Sequence, residues 1–154
     1  MQKVDEILDF LNQKLGKESL AWRGEHASIK FEDGIIVDLI KIDLQTVELV
    51  HILEDYAGVD ELEFYKALLI ANYQGGMTGK SRLSLTPDFK TLSICCRIDV
   101  RGVDDALFED TLTEFLKYIH FWKSQEAADY LLTDDANGAD KAIQYDPDEY
   151  MTRV

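Results

Sequence analysis

Val4, Ile7, Leu8, Leu11 and Leu15 recur at i, i+3, i+4, i+7 and i+11. That spacing puts them on one stripe of an amphipathic helix over residues 3–15, which Gly16 closes. Phe10 lies off the stripe. The period then falls to two. In "ASIKF" the residues Ala27, Ile29 and Phe31 share one face, and "EDG" at 32–34 makes a turn. "IIVDLIKID" (35–43) and "TVELVHILED" (46–55) follow. The pattern predicts three antiparallel strands joined by tight turns.

The middle strand departs from the usual alternation. Ile35, Val37 and Leu39 line one face, while Ile36, Ile40 and Ile42 line the other with Asp38 among them. Val47, Leu49 and Leu53 oppose Val50 and Ile52 on the third strand. An antiparallel sheet with one wet face should alternate cleanly between apolar and polar. Helices of the chain can cover one face. The other needs either a further helix or a cover from outside.

Asp60 and Glu63 form a capping box ahead of a second helix that runs to Tyr73. Its apolar positions, Leu62, Phe64, Tyr65, Ala67, Leu68, Leu69, Ile70 and Ala71, go most of the way round. Such a helix is buried on several sides, which in a small domain suggests a subunit interface as readily as a deep core. "SRLSLTPD" and "TLSICCRIDV" read as a hairpin turning at Pro87-Asp88. Asp104 or Asp105 then caps a long final helix through Leu132, with Phe108, Leu112, Phe115, Ile119 and Trp122 as its buried stripe. The order α-β-β-β-α-β-β-α, with antiparallel strands packed by helices, is an α+β fold.

Length and charge sharpen this picture. The 154 residues suffice for one domain, and 46% of them are hydrophobic, enough for a real core. The domain is read over 1–132. Residues 133–154 have six acidic and two basic residues and no apolar period, so they read as an acidic, mobile C-terminal tail. The formal net charge of −14 disfavours nucleic acid and anionic membrane surfaces. It suits a basic or amphipathic protein partner, and it also serves plain solubility. The N-terminus carries acids within its apolar run and reads as no signal peptide. No apolar stretch reaches membrane-spanning length, so no membrane insertion is expected. The adjacent Cys95 and Cys96 point to opposite faces of a strand and read as reduced thiols of a cytosolic chain.

Catalytic and cofactor motifs fail on inspection. "GGMTGKS" contains the end of a phosphate-binding loop, but the pattern G-x-x-x-x-G-K-[ST] requires glycine at position 74, which is Gln74. The flanking elements are also reversed. A helix precedes this loop and a strand follows, so it sits at the negative end of a helix dipole. His26, His51 and His120 lack metal-ligand spacing. Cys95 as a nucleophile has a simpler alternative, a small strand hydrophobe. The reading is therefore non-enzymatic, with no cofactor and no metal.

The string "ALLIANYQGGMTGKSRLSLTPDFKTLSICCRIDV", followed by "LFEDTLTEFLKYIHFWKS", strongly resembles the class I type III secretion chaperones, the CesT or Tir-chaperone family. Leu68-Leu69, Asn72, Gly75-Gly76, Gly79, Leu83, Leu85, Pro87, Leu92, Phe108, Leu112, Phe115 and Trp122 occupy the family's places. The resemblance covers about residues 1–130, and the chain departs from it at 133–154. It implies a homodimeric chaperone, working without nucleotide in the cytoplasm of a Gram-negative bacterium. Such a chaperone holds the N-terminal segment of a secreted effector in extended form, and contacts with the secretion ATPase or sorting platform come with the resemblance. On this reading Phe10, Phe31, Ile36, Ile40, Ile42, Val50 and Ile52 contribute the effector-binding surface, because they lie outside the faces assigned to the core. Leu68, Tyr73, Leu83, Leu85 and Cys95 contribute the dimer interface. Ordinary burial is the alternative for each residue. Three other functions remain open: a non-secretory protein-binding module of YbjN-like fold, a small enzyme using Cys95 or the acidic surface, and an acidic mimic of nucleic acid.

Overall fold

The computed structural model describes residues 3–16, 20–55, 61–87 and 91–132. The proposed tail at 133–154, Asp60 of the capping box and Asp88 of the hairpin turn lie outside the described residues. Helix α1 spans Asp5–Leu15 and buries Ile7, Leu8 and Leu11. Asp5 and Glu6 sit in its first turn and Lys14 in its last, matching the helix dipole. Gly16 takes φ +60° and ends the helix, a conformation that costs a side-chain-bearing residue energy.

Strands β1 (His26–Lys30), β2 (Ile36–Lys41) and β3 (Thr46–Asp55) follow as an antiparallel meander. Helix α2 (Glu61–Asn72) runs into a 3-10 turn over Tyr73–Gly75. Strands β4 (Arg82–Leu85) and β5 (Thr91–Asp99) form the hairpin. The five strands make one sheet in the order β1-β2-β3-β5-β4, with β5 antiparallel to β3. The edges are therefore β1 and β4. The register shifts between Ile52 and Glu54, a β-bulge.

The final helix is not continuous, as the periodicity alone suggests. It divides into α3 (Asp105–Trp122) and α4 (Gln125–Leu132). Two local features divide it. The Lys123 N–H folds back onto the carbonyls of Ile119 and Phe121, and Ser124 Oγ accepts from Ala127 N–H at 3.4 Å, a fresh N-cap. The break lets α4 turn back onto α2, where Tyr130 donates its hydroxyl to the Ala67 carbonyl at 3.2 Å. Of the two candidate caps of α3, Asp104 is the one used, accepting from Leu107 N–H at 2.8 Å.

The core lies on one face of the sheet. Val37, Leu39, Val47, Leu49 and Ile94 are fully buried there. They share one cluster with Ile7 and Leu11 of α1, Phe64 and Leu68 of α2, and Phe108, Phe115 and Ile119 of α3. All the named helices are thus committed to the same side.

Candidate functional site

The face of the sheet away from this cluster carries the first candidate. Ile36 is 45% exposed and Ile52 is 49% exposed, while Ile40 and Val50 are half-buried. The register joins them to neighbours on the same face: Lys30 faces Ile36, Asp38 faces Val50, and Ile52 faces Ser93. Polar fittings border this apolar row. Ser28 Oγ donates to Asp38 Oδ1 at 2.5 Å. Glu48, only 12% exposed, pairs with Arg82 and, at 3.5 Å, with Arg97. Ile42 is 45% exposed beyond the end of β2, where its N–H bonds the Thr46 carbonyl at 2.9 Å.

The second feature is the β1 edge. Arg23 and His26 exchange both backbone hydrogen bonds across a tight turn. That single bridge is not followed by further pairing on this side among the described residues. The chain before Arg23 diverges, leaving a groove of about 240 Å³ lined by Leu20, Ala21, Arg23, His26, Ala27 and Ser28. Asn12 holds the diverging arm by a two-way bond with the backbone of Leu20, at 2.9 and 3.0 Å. A wider groove of about 390 Å³ opens beside Leu15, Ile29, Lys30, Phe31, Glu32 and Asp33. Phe31 is half-buried at its wall. Phe10 is half-buried too and sets its ring edge-on to Phe108 at 5.9 Å.

The outward side of α2 is the third. Leu62, Leu69, Ile70 and Tyr73 are 62, 72, 45 and 63% exposed. Of the residues assigned to a dimer interface from sequence, Tyr73 stands on this outward side. Leu68, Leu83 and Cys95 are buried within the chain itself, and Leu85 is half-buried.

The glycine-rich loop is a packed turn between a helix and a strand. Gly79 takes φ +58°, and a Cβ there would stand 2.5 Å from the Tyr118 ring and 2.6 Å from a Glu114 carboxylate oxygen. Trp122 Nε1 donates to the Met77 carbonyl at 3.0 Å, and Lys80 faces Glu114 at 4.0 Å. The loop therefore closes against α3 and an acidic side chain. Burial pushes the Cys96 thiol upward, away from a reactive thiolate. Among the described residues no cluster of three histidines, cysteines or carboxylates stands where it could hold a metal ion. No helix among them is long and apolar enough to cross a membrane.

The pattern of the Tir chaperone protein (CesT) family matches residues 6–123, nearly the whole described chain. The chain belongs to the CesT family. Solved structures share its fold at low identity. The crystal structure of the ExsC–ExsE complex aligns with TM-score 0.63 and 16% identity, over 80% of this chain and 95% of that one. The Yersinia pestis type III secretion chaperone SycH, solved with a fragment of YscM2, gives 0.58 and 16%, over 76% and 97%. YbjN, a putative transcription regulator from E. coli, gives 0.56 and 16%, over 88% and 92%. No curated protein matches the chain in sequence.

For this CesT-family chain the structure brings Ile36, Ile40, Val50 and Ile52 onto one open face. Phe10 and Phe31 sit apart from that row, at the margin of the core. Sequence reasoning missed Leu62, Leu69 and Ile70 as the exposed apolar side of α2, although its all-round apolarity carried the signal. It also missed the open backbone of β1, because which strands become edges depends on the order of all five.

Proposed function

We propose that this protein is a secretion chaperone that binds the N-terminal segment of a type III effector in extended form. It keeps that segment soluble and ready for export without consuming ATP, as a homodimer in the bacterial cytoplasm. The observation that carries this reading is the open sheet face, where Ile36 on β2 and Ile52 on β3 stand half-exposed in a sheet that ends at the β1 edge. Family membership supports it, as do similar solved structures that include a chaperone–effector complex, HopA1–SchA.

The energetics favour a mode using both features. Ordering an extended segment costs about 1–2 kcal/mol per residue, while covering one isoleucine returns at most about 1.5–3 kcal/mol. Side-chain burial at alternate positions therefore covers only part of the cost. Backbone hydrogen bonds to a sheet edge supply the remainder, which is the logic of strand addition. Such binding draws only on contacts, so capture needs no nucleotide. Leu62, Leu69 and Ile70 on α2, with Tyr73 just beyond its end, suit a second copy of the chain, and the acidic surface and tail suit contacts with the secretion ATPase or sorting platform.

The test is capture of the tagged full chain from the native bacterium under secreting conditions, with the retained protein identified by mass spectrometry. The reading expects one retained secreted protein in near-stoichiometric amount, lost when its N-terminal segment is deleted. A retained partner that is never secreted would instead support a protein-binding module of YbjN type, a reading favoured by the large share of this chain that the YbjN structure covers.

A further inference from the structure

The two edges of the sheet differ in what they offer a partner's backbone. Antiparallel pairs alternate between residues bonded to the neighbouring strand and residues whose groups point away. On β1 the phase is set by two bonds, from Lys41 N–H to the Glu25 carbonyl at 2.8 Å and from Phe31 N–H to the Ile35 carbonyl at 2.8 Å. Ala27 and Ile29 therefore face β2. The backbone groups of His26, Ser28 and Lys30 point off the edge, and those of His26 are taken by Arg23. Ser28 and Lys30 thus present N–H and C=O outward, between the two grooves.

On β4 the bond from Thr86 N–H to the Thr91 carbonyl at 3.0 Å sets the phase. Arg82 and Ser84 face β5, and Leu83 and Leu85 point outward. The Leu83 groups are both occupied. Its N–H donates to Asn72 Oδ1 at 2.8 Å, and its carbonyl accepts from Asn72 Nδ2 at 3.1 Å. A primary amide with one acceptor and two donors reproduces the pairing face of a peptide group. The last residue of α2 therefore stands where the next strand's backbone would be.

We propose that Asn72 is an edge stop that bars strand addition at β4 and so confines an extended partner backbone to β1, at Ser28 and Lys30. This rests on the strand-addition reading above for the β1 arm only. The β4 arm concerns the chain by itself. A sheet with one closed edge takes up one strand per subunit and does not grow from the other side, a standing hazard of unprotected edges.

The experiment is hydrogen exchange on the full chain, in wild type and Asn72→Ala, with and without a short peptide of alternating valine and threonine. Asn72→Asp serves as a second variant, since it keeps an acceptor for Leu83 N–H but offers no donor to the carbonyl. In wild type the peptide is expected to slow exchange at Ser28 and Lys30 and leave Leu83 and Leu85 unchanged. In Asn72→Ala the Leu83 amide should exchange about five- to tenfold faster, and the peptide should now also protect Leu83 and Leu85. In Asn72→Asp the Leu83 amide should stay slow. Peptide protection at Leu83 in wild type overturns the proposal. So does Leu83 exchange that ignores the alanine substitution, or an alanine variant that still takes no strand at β4. If the alanine variant gains protection at β4 while Ser28 and Lys30 never respond, the edge stop stands and addition at β1 is refuted.

Discussion

Along β2, Val37 and Leu39 are completely buried, while Ile36, one residue from Val37, is 45% exposed. Along β3, Leu49 is completely buried and Ile52, past the opposite turn of the pleat, is 49% exposed. On β2 and β3 both faces carry large apolar side chains, yet only one of them meets α1, α2 and α3. Apolar character alone therefore does not say which face is core. The period of two sorts residues into faces, and the helices then select the face that drives folding. What remains is an apolar row, Ile36, Ile40, Val50 and Ile52, on the face away from that cluster.

The sharpest way to break this comparison is to truncate one residue on each face. Leu39→Ala, or Leu49→Ala, removes packed methyls from the closed face and is expected to cost about 2–5 kcal/mol in urea unfolding. Ile36→Ala and Ile52→Ala on the open face are expected to stay within about 0.5 kcal/mol. Equal losses on the two faces would mean that the open face is core after all, and the binding reading would lose its surface.

Charge on the open face should then separate binding from folding. The double variant Ile36→Asp, Ile40→Asp is expected to retain its far-UV circular dichroism and its oligomeric state while losing the captured effector. Loss of the folded spectrum would assign the pair to the chain's own core. On α2, Leu69→Asp places a charge at a side chain 72% exposed. It should leave the fold intact and convert a dimer into a monomer in light scattering. An unchanged mass would move the subunit contact elsewhere.

Much of the architecture was legible because it is local. The α1 stripe from Val4 to Leu11, the Gly16 stop, the full span of β3 and a cap at Asp104 or Asp105 all follow from spacing and residue type within a few positions, whereas Leu15, placed on the same stripe, is exposed. The break at Lys123–Ser124 escaped because apolar periodicity runs on through it, and a serine cap at Ser124 is a weak signal inside a helical pattern. The surface was legible only by half. The two-faced strands announced Ile36 and Ile52. Nothing local could show that Leu83 lies on an edge strand whose outward groups Asn72 would satisfy, since that depends on β5 inserting between β3 and β4. Leu68 and Leu69 are adjacent leucines, one 7% and the other 72% exposed, and the packing of α2 into the shared core cluster distinguishes them.

The smallest expected effect concerns an exposed ion pair at the end of β5. The Arg101 side chain donates to the Asp99 carboxylate, as does its backbone N–H, and together they hold Asp99 down to about 2, below its ordinary 3.8. A lowered carboxylate stabilises the fold above its unfolded value, and that contribution is lost as pH falls from about 3.8 through about 2. Below that window both states are protonated and the pair adds nothing. Arg101→Ala should therefore raise the Asp99 value in an NMR titration and barely move the melting temperature near neutral pH, because salt and water screen exposed pairs. Whatever small difference it makes should vanish in strong acid. If instead Arg101→Ala cost as much as Leu39→Ala, stability would lie in exposed charge pairs as well as in the closed face. The open apolar row could then no longer be treated as dispensable to folding on the ground of its exposure.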